Sequence, residues 1–418
     1  MPTINHLQRH LSVYGPNRTL LAAAFMIFFF VTFDGMLMYL APIVIVQSGI
    51  SEGTMGLIIG LSSVAGLLFD VVLGRLFERA SYRLMFLSML LIAATYPFFL
   101  FGANTITFYL IAMAIWGLYY NLYNMGTIDF VESTTVPNKF ASSFGVLKVF
   151  DGLGNLVAPF IGSLLIVSAL SKPQMMQWPI VLIAVALAFY VLLALTSKRN
   201  KERRAKLQKQ SLGILTEVRL WNQIGHILFP VFLLTVSINL VDSAIWTIGP
   251  LFSQSLADAS GHGGGAFMVA YTLPPLLVGW VVGYFVAQYG KKNTALSGLF
   301  VGSLLVILIG FITTPLLLIG IMFSTSFCFA LAWPSINAAY ADYIRKDNSY
   351  SKEVEAVEDW FTNLGDTLGP IIGGYSAQFL GTAHAFSAIG IFGALAALVL
   401  FRFTPEQISA KIRPSSKQ

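Results

Sequence analysis

Two stretches decide how this chain folds: FDGMLMYLAP at Phe33–Pro42 and VDSAIWTIGP at Val241–Pro250. Each places a carboxylate, Asp34 or Asp242, inside a long uncharged run, with a proline eight residues further on. About 20 mostly apolar residues suffice to cross a bilayer as a helix, and both stretches lie within such runs, near 20–47 and 227–254. A carboxylate at mid-membrane depth costs about 2.5–3.5 kcal/mol on insertion scales. It persists where it binds a cation, takes a proton or pairs with a base; an acid kept neutral among hydroxyl neighbours is the structural alternative.

Working outward, the same length rule places spans near 20–47, 54–77, 84–102, 105–128, 141–169, 178–196, 227–254, 266–288, 294–313, 315–341, 356–379 and 383–403. This predicts an all-α membrane protein of twelve transmembrane helices. The long polar interruption is Ser197 to His226, with the basic run SKRNKERRAKLQKQ. It divides the chain into six-helix bundles at 1–196 and 227–418, joined by a linker at 197–226. Basic residues favour the cytoplasmic side. Arg75, Arg79, Arg83, Lys139, the linker cluster, Lys291, Lys292, Arg345, Lys346 and both tails fall on one side, whereas Lys172 falls on the other and Lys148 inside a span. Both termini are therefore expected in the cytoplasm, with Met1–Arg18 as an uncleaved tail, and the protein in the plasma or inner membrane.

Composition excludes several classes. Charged residues make up 11% of the 418-residue chain and hydrophobic ones 56%; a soluble domain carries about 25% charged residues, so a water-soluble enzyme is ruled out. The +6 net charge is scattered between apolar blocks, which orients the chain in a membrane and excludes nucleic acid as a partner. The lone Cys328 allows no internal disulfide. His6, His10, His226, His262 and His384 all lie at or beyond span ends, so no intramembrane metal centre is expected. With no phosphate-binding loop and no nucleophile–base set, no cofactor and no enzymatic activity are expected, and the energy for work must come from a gradient.

The two halves repeat. Asp34–Pro42 matches Asp242–Pro250, NMGTID (Asn124, Asp129) matches NAAYAD (Asn337, Asp342), and LGNLVAPFIG (Leu153–Gly162) matches LGDTLGPIIG (Leu364–Gly373). GRLFERASYR (Gly74–Arg83) matches GYFVAQYGKK (Gly283–Lys292), and the offsets all lie between 208 and 213 residues. Spans 3, 6, 9 and 12 carry no charge within their apolar runs, so every third helix is expected to be peripheral. Buried charges fall on the others: Asp34, Asp70 on span 2, Lys148 and Asp151, Asp242, Asp359 and Asp366.

These features together make the sequence similar to the major facilitator superfamily across essentially its whole length. GRLFERASYR resembles the family's loop motif after the second helix, with Gly74, Arg79 and Arg83 matching, Glu78 in place of the usual Asp, and Ser81 in place of the second Gly. The second copy keeps Gly290, Lys291 and Lys292 but has Ala287 where the acid would be. Gly152–Ser163 resembles the fifth-helix Gly/Pro motif of antiporter branches. The Arg usual in the fourth helix of proton antiporters is absent, and Trp116 lies in that region. The resemblance implies two halves rocking around a central site.

For that site the residues suggest Asp34 and Asp242 as the coupling pair. Lys148, Asp151 and Asn155 share one face of the fifth helix by i, i+3, i+7 spacing, the first two as a buried pair; Asp366 is the repeat partner of Asn155. Aromatic and amide groups are expected to complete the cavity: Tyr120, Asn124, Trp246, Trp333 and Asn337. Glu353, Glu355, Glu358 and Asp359 crowd the start of the eleventh helix, where the helix dipole favours acids. A cytoplasmic gate follows, in which Arg79 and Arg83 engage Glu355, Glu358 and Asp359 when the cytoplasmic side is closed and release them when it opens, with Asp70 on span 2 and Gly74, Glu78, Gly290, Lys291 and Lys292 of the loop motifs in support.

Acids outnumber bases inside the spans, so a proton, a sodium ion or a cationic compound is the natural passenger. The leading expectation is a monomeric, proton-coupled secondary exporter of amphipathic, cationic small molecules. A proton- or sodium-coupled importer of a neutral or zwitterionic metabolite (sugar, nucleoside or amino acid) is the alternative. A non-transporting sensor or scaffold on the same fold is the third reading.

Overall fold

The structure, a computed structural model, describes residues 18–77, 80–102, 105–136, 139–168, 170–197, 214–260, 264–279, 281–346 and 351–404. The helices are α1 (Arg18–Gln47), α2 (Glu52–Leu76), α3 (Tyr82–Ala93, then Tyr96–Gly102), α4 (Ile106–Thr134), α5 (Phe140–Val167) and α6 (Lys172–Thr196). The second half holds α7 (Ile214–Ser260), α8 (Gly264–Thr272, Pro274–Val278 and Val282–Tyr289), α9 (Lys291–Ile309), α10 (Pro315–Lys346), α11 (Ser351–Leu380) and α12 (Thr382–Phe403). Ten of these are long and apolar enough to cross a membrane by composition, and the broken α8 makes eleven. The twelfth is α11, whose acids Glu353, Glu355, Glu358, Asp359 and Asp366 lower its hydropathy.

The span positions hold to within a few residues, with three differences. Expected as one piece, α3 breaks at Ala94–Thr95: Pro97 has no N–H for the Ala93 carbonyl, and the Thr95 hydroxyl bonds Ile92 O at 2.7 Å instead. α8 breaks before Pro274 and Pro275 for the same reason. α7 starts at Ile214, well inside the expected linker, because Ile214–His226 continues the helix of the seventh span without interruption.

Local signals explain the turns. Ser51 caps α2 by accepting from Thr54 N at 3.3 Å, and Ser171 N bonds Gln174 Oε1 at 3.0 Å at the start of α6, as a capping box does. The turn into α9 uses Gly290 at φ 80°, a backbone region that L side chains avoid. Its first-half counterpart, Ser81, sits at φ −92°. The loss of the second glycine from the first loop motif thus costs that loop nothing.

Packing follows the repeat. α1 and α7 are central, their buried faces running from Ala22 to Ile45 and from Ile224 to Leu256. α3, α6, α9 and α12 turn large apolar side chains outward, among them Leu91, Leu195, Leu308 and Leu395, as the absence of charge within their spans predicts. Each half also braces its third helix alike. Asp129 on α4 accepts from Tyr82 N at the start of α3 (2.5 Å), and Asp342 on α10 pairs with Lys291 at the start of α9 (2.5 Å).

Among the described residues, the closest backbone approaches between the halves gather towards one end. Call the side holding residues 18, 197, 214 and 404 the terminal face. On the opposite face α2 crosses α11 with backbone almost touching: a Cβ on Gly56 would lie 2.2 Å from Pro370 O, and one on Gly374 would lie 2.4 Å from Glu52 O. Gly53 N donates to Gln378 Oε1 at 3.0 Å, and α5 meets α8 where Gly265 abuts Ser163. Tyr39 on α1 and Ser253 on α7 share a buried hydrogen bond of 3.0 Å across the halves. One such bond is worth about 1 kcal/mol net. With Thr247→Cys in a Cys328→Ser background, Tyr39→Phe is expected to raise labelling by an impermeant maleimide from this face by about fivefold, the Boltzmann equivalent.

Candidate functional site

Towards the terminal face the halves part around a cavity of about 600 Å³, lined by α1, α2, α4 and α5 of the first half and α7, α8, α10 and α11 of the second. Asp34 lies at its inner end, 7% exposed. Its Oδ1 accepts two hydrogen bonds, from Trp116 Nε1 at 2.8 Å and from the Tyr119 hydroxyl at 2.6 Å. Both donors come from α4, three residues apart and hence on one face of that helix. Trp116 therefore holds the first-half carboxylate by a neutral indole N–H. Asp242, the repeat partner, accepts the hydroxyl of Tyr271 on α8 and lines the same cavity. Asp366 lies within electrostatic reach of Asp242.

On α5, Lys148 Nζ pairs with Asp151 Oδ2 at 2.9 Å, and Tyr123 donates to Asp151 Oδ1 at 3.3 Å. The pair forms as the spacing predicts but is not buried: the Lys148 side chain is 72% exposed, because the parted halves leave it facing open cavity. Asn155, Tyr120, Trp246 and Trp333 line the cavity too. Trp116 and Tyr120 lie 5.8 Å apart at 34°, and Trp246 stands edge-on to Tyr271 at 6.0 Å, so flat apolar faces alternate with the carboxylates.

Asn124 and Asn337 are not among the lining residues. Both are exposed, each one helical turn closer to the terminal face than the lining residues Tyr120 and Trp333. Cavity residues missing from the expectation are Tyr119's hydroxyl contact, Tyr271, Ser62, Asn239 and Ser243. Asn239 carried a signal, since it precedes Asp242 by three residues and shares its face.

The gate, expected to engage when the cytoplasmic side closes, is not engaged among the described residues. Glu78 and Arg79 lie outside the described residues, and Gly74 falls near the end of α2. Arg83 does not reach the acids of α11: its Nη2 donates to Ser197 O at 2.5 Å, capping the end of α6 within its own half. Lys291 likewise stays in its half, bonded to Asp342 and to Ala338 O, and Lys292 beside it is half-buried. Asp70 on α2 is within electrostatic reach of Asp359 on α11; Glu358 is within electrostatic reach of Tyr340, and Glu355 is exposed.

The comparisons with known proteins agree with this geometry. The family model for the Major Facilitator Superfamily matches residues 23–352 and, in a second overlapping match, 231–418. The chain belongs to the major facilitator superfamily. It is accordingly a multi-pass membrane transporter and not an enzyme. Among solved structures it is similar to the nucleoside transporter NupG, at 16% identity and a TM-score of 0.72, with 92% of this chain and 98% of that one covered. It is also similar to the human organic anion transporter MFSD10 (15% identity, TM-score 0.64, 92% and 99% covered). A bacterial homologue of the human lysosomal transporter Spinster, inward-facing and unoccupied, aligns at 13% identity and a TM-score of 0.70, with 93% and 97% covered. No curated protein sequence matches the chain.

Proposed function

We propose that this transporter exports cationic, amphipathic small molecules in exchange for protons, by alternating access. The observation that carries the reading is the charge of the cavity: Asp34, Asp151, Asp242 and Asp366 against the single Lys148. An anionic passenger would meet that field unfavourably, and a cation would be drawn into it. Nucleoside and organic anion transporters share the fold, but fold alone does not carry a substrate from one member to another. Aromatic faces beside the carboxylates suit an organic cation through cation–π attraction.

The basic residues identify the terminal face as cytoplasmic, so the conformation is inward-open, the state that collects an exported compound. The bundles 1–196 and 227–418, joined through 197–226, rock about the midplane. A cation displaces protons from the carboxylates on the cytoplasmic side, and protons displace the cation on the other. Exchange needs no further energy source. The α11 acids and the Arg79–Arg83 loop close the mouth when the halves come together there.

Proteoliposomes test the coupling. An imposed proton gradient is expected to drive uphill movement of a labelled organic cation by wild type. Asp34→Asn combined with Asp242→Asn is expected to leave only downhill exchange, and full gradient-driven transport by the double variant would refute the coupling role.

A further inference from the structure

The hydrogen-bonding groups of the cavity are unbalanced, and the imbalance narrows the passenger further. Most lining donors are already engaged. The hydroxyls of Ser62, Ser243 and Thr247 donate to carbonyls of their own helices, at 2.5 Å to Ile59 O, 2.6 Å to Asn239 O and 2.8 Å to Ser243 O. Asn155 and Asn239 each give an amide N–H to the helix carbonyl one turn back, at 3.3 and 2.8 Å. The single N–H of Trp116 goes to Asp34 and the hydroxyl of Tyr271 to Asp242.

The acceptors, by contrast, remain open. Both donors to Asp34 land on Oδ1, leaving Oδ2; Tyr271 occupies Oδ1 of Asp242, leaving its Oδ2 as well. Asp366 accepts no hydrogen bond among the described residues. These three acids sit on α1, α7 and α11, so their free oxygens belong to both halves. Against them stand the Lys148 ammonium, the hydroxyls of Ser63 and Tyr120, the indole N–H groups of Trp246 and Trp333, and the second amide N–H of Asn155 and of Asn239, of which Lys148 alone carries a charge and is already paired with Asp151. In a hydrated cavity, water satisfies acceptors of this kind. A ligand that displaces that water without supplying donors leaves carboxylate lone pairs unmatched, which is costly.

We propose that the cavity selects cations rich in N–H donors (primary amines, guanidines and amino-bearing polyols) over quaternary or fully alkylated cations of equal charge. The proposal rests on the cation-export reading and adds to it. Cation–π attraction alone accepts a quaternary ammonium readily; unmatched carboxylates do not. The same imbalance explains exchange, because a proton on Asp366 or Asp242 turns an acceptor into a donor. Proton and amine then compete for the same oxygens.

The test compares 2-phenylethylammonium with its N,N,N-trimethyl counterpart, which has the same ring and charge but no N–H, by calorimetric titration of the purified full chain. The primary ammonium is expected to bind about tenfold tighter or more. Asp366→Asn brings its own N–H donors and is expected to narrow that gap, as is Asp242→Asn. Equal or tighter binding of the trimethyl compound overturns the donor selectivity while leaving cation transport standing. No binding of either compound overturns both. A gap unchanged in both variants overturns the assignment to these carboxylates.

Discussion

Gly56→Leu is expected to abolish transport while leaving the helices intact, and to hold the protein open on the face that is closed in this structure. The reason is steric. A Cβ at Gly56 meets the backbone of α11 at 2.2 Å from Pro370 O and 3.1 Å from Gly374 Cα, and backbone cannot swing aside as a long side chain can. Forcing extra atoms into a tight contact costs about 1–3 kcal/mol or more. That strain exists only while α2 and α11 touch, so it falls on one conformation and spares the other. A differential cost of about 3 kcal/mol shifts a two-state equilibrium by more than about a hundredfold. In a Cys328→Ser background, a thiol at the lining position Thr247 reports the shift. Its labelling from the face opposite the termini should rise with Gly56→Leu and stay at wild-type level with Gly145→Leu, where a Cβ meets nothing within 4 Å. Unchanged labelling and transport in Gly56→Leu would show that the α2–α11 crossing is not the seal.

The second large effect concerns Asp34. Asp34→Ala is expected to destabilise the protein markedly, and Asp34→Asn much less. Alanine leaves the indole N–H of Trp116 and the hydroxyl of Tyr119 without their acceptor. A stranded buried donor such as the Tyr119 hydroxyl costs about 1–3 kcal/mol, and the indole of Trp116, which lines the cavity, adds less. Asparagine keeps an oxygen in place for both donors but cannot exchange a proton. The two substitutions therefore separate folding from coupling: melting temperature should fall steeply only for alanine, whereas gradient-driven transport should suffer in both. Equal melting temperatures for the two variants would mean that the clamp contributes little.

Much of this architecture can be read in the sequence. Span positions follow from hydropathy, and the correspondence of Asp34 with Asp242 from an offset shared by four motifs. Reading failed where the outcome depends on one turn of helix or on a distant partner. Asn124 and Asn337 carry the repeat as clearly as the acids do, yet one turn of helix takes them out of the lining. Tyr119 meets Asp34 from 85 residues away and Tyr271 meets Asp242 from 29, pairings that no local pattern encodes. The contact of Arg83 with Ser197 O likewise depends on where α6 ends, 114 residues away. The conformational state lies beyond sequence altogether, since both states of an alternating-access protein share one chain. Its trace here is the close contact of the α2 glycines with the backbone of α11 towards one end, together with the exposed Lys148 side chain of the cavity.

The most direct measurement counts protons on binding. Purified protein in lightly buffered solution, titrated with an organic ammonium at a pH where the cavity carboxylates are partly protonated, should release protons as the ammonium binds. The release should diminish when Asp34, Asp242 and Asp366 are all changed to Asn. Binding with no proton release at any pH, or an organic anion binding in place of the cation, would contradict the account.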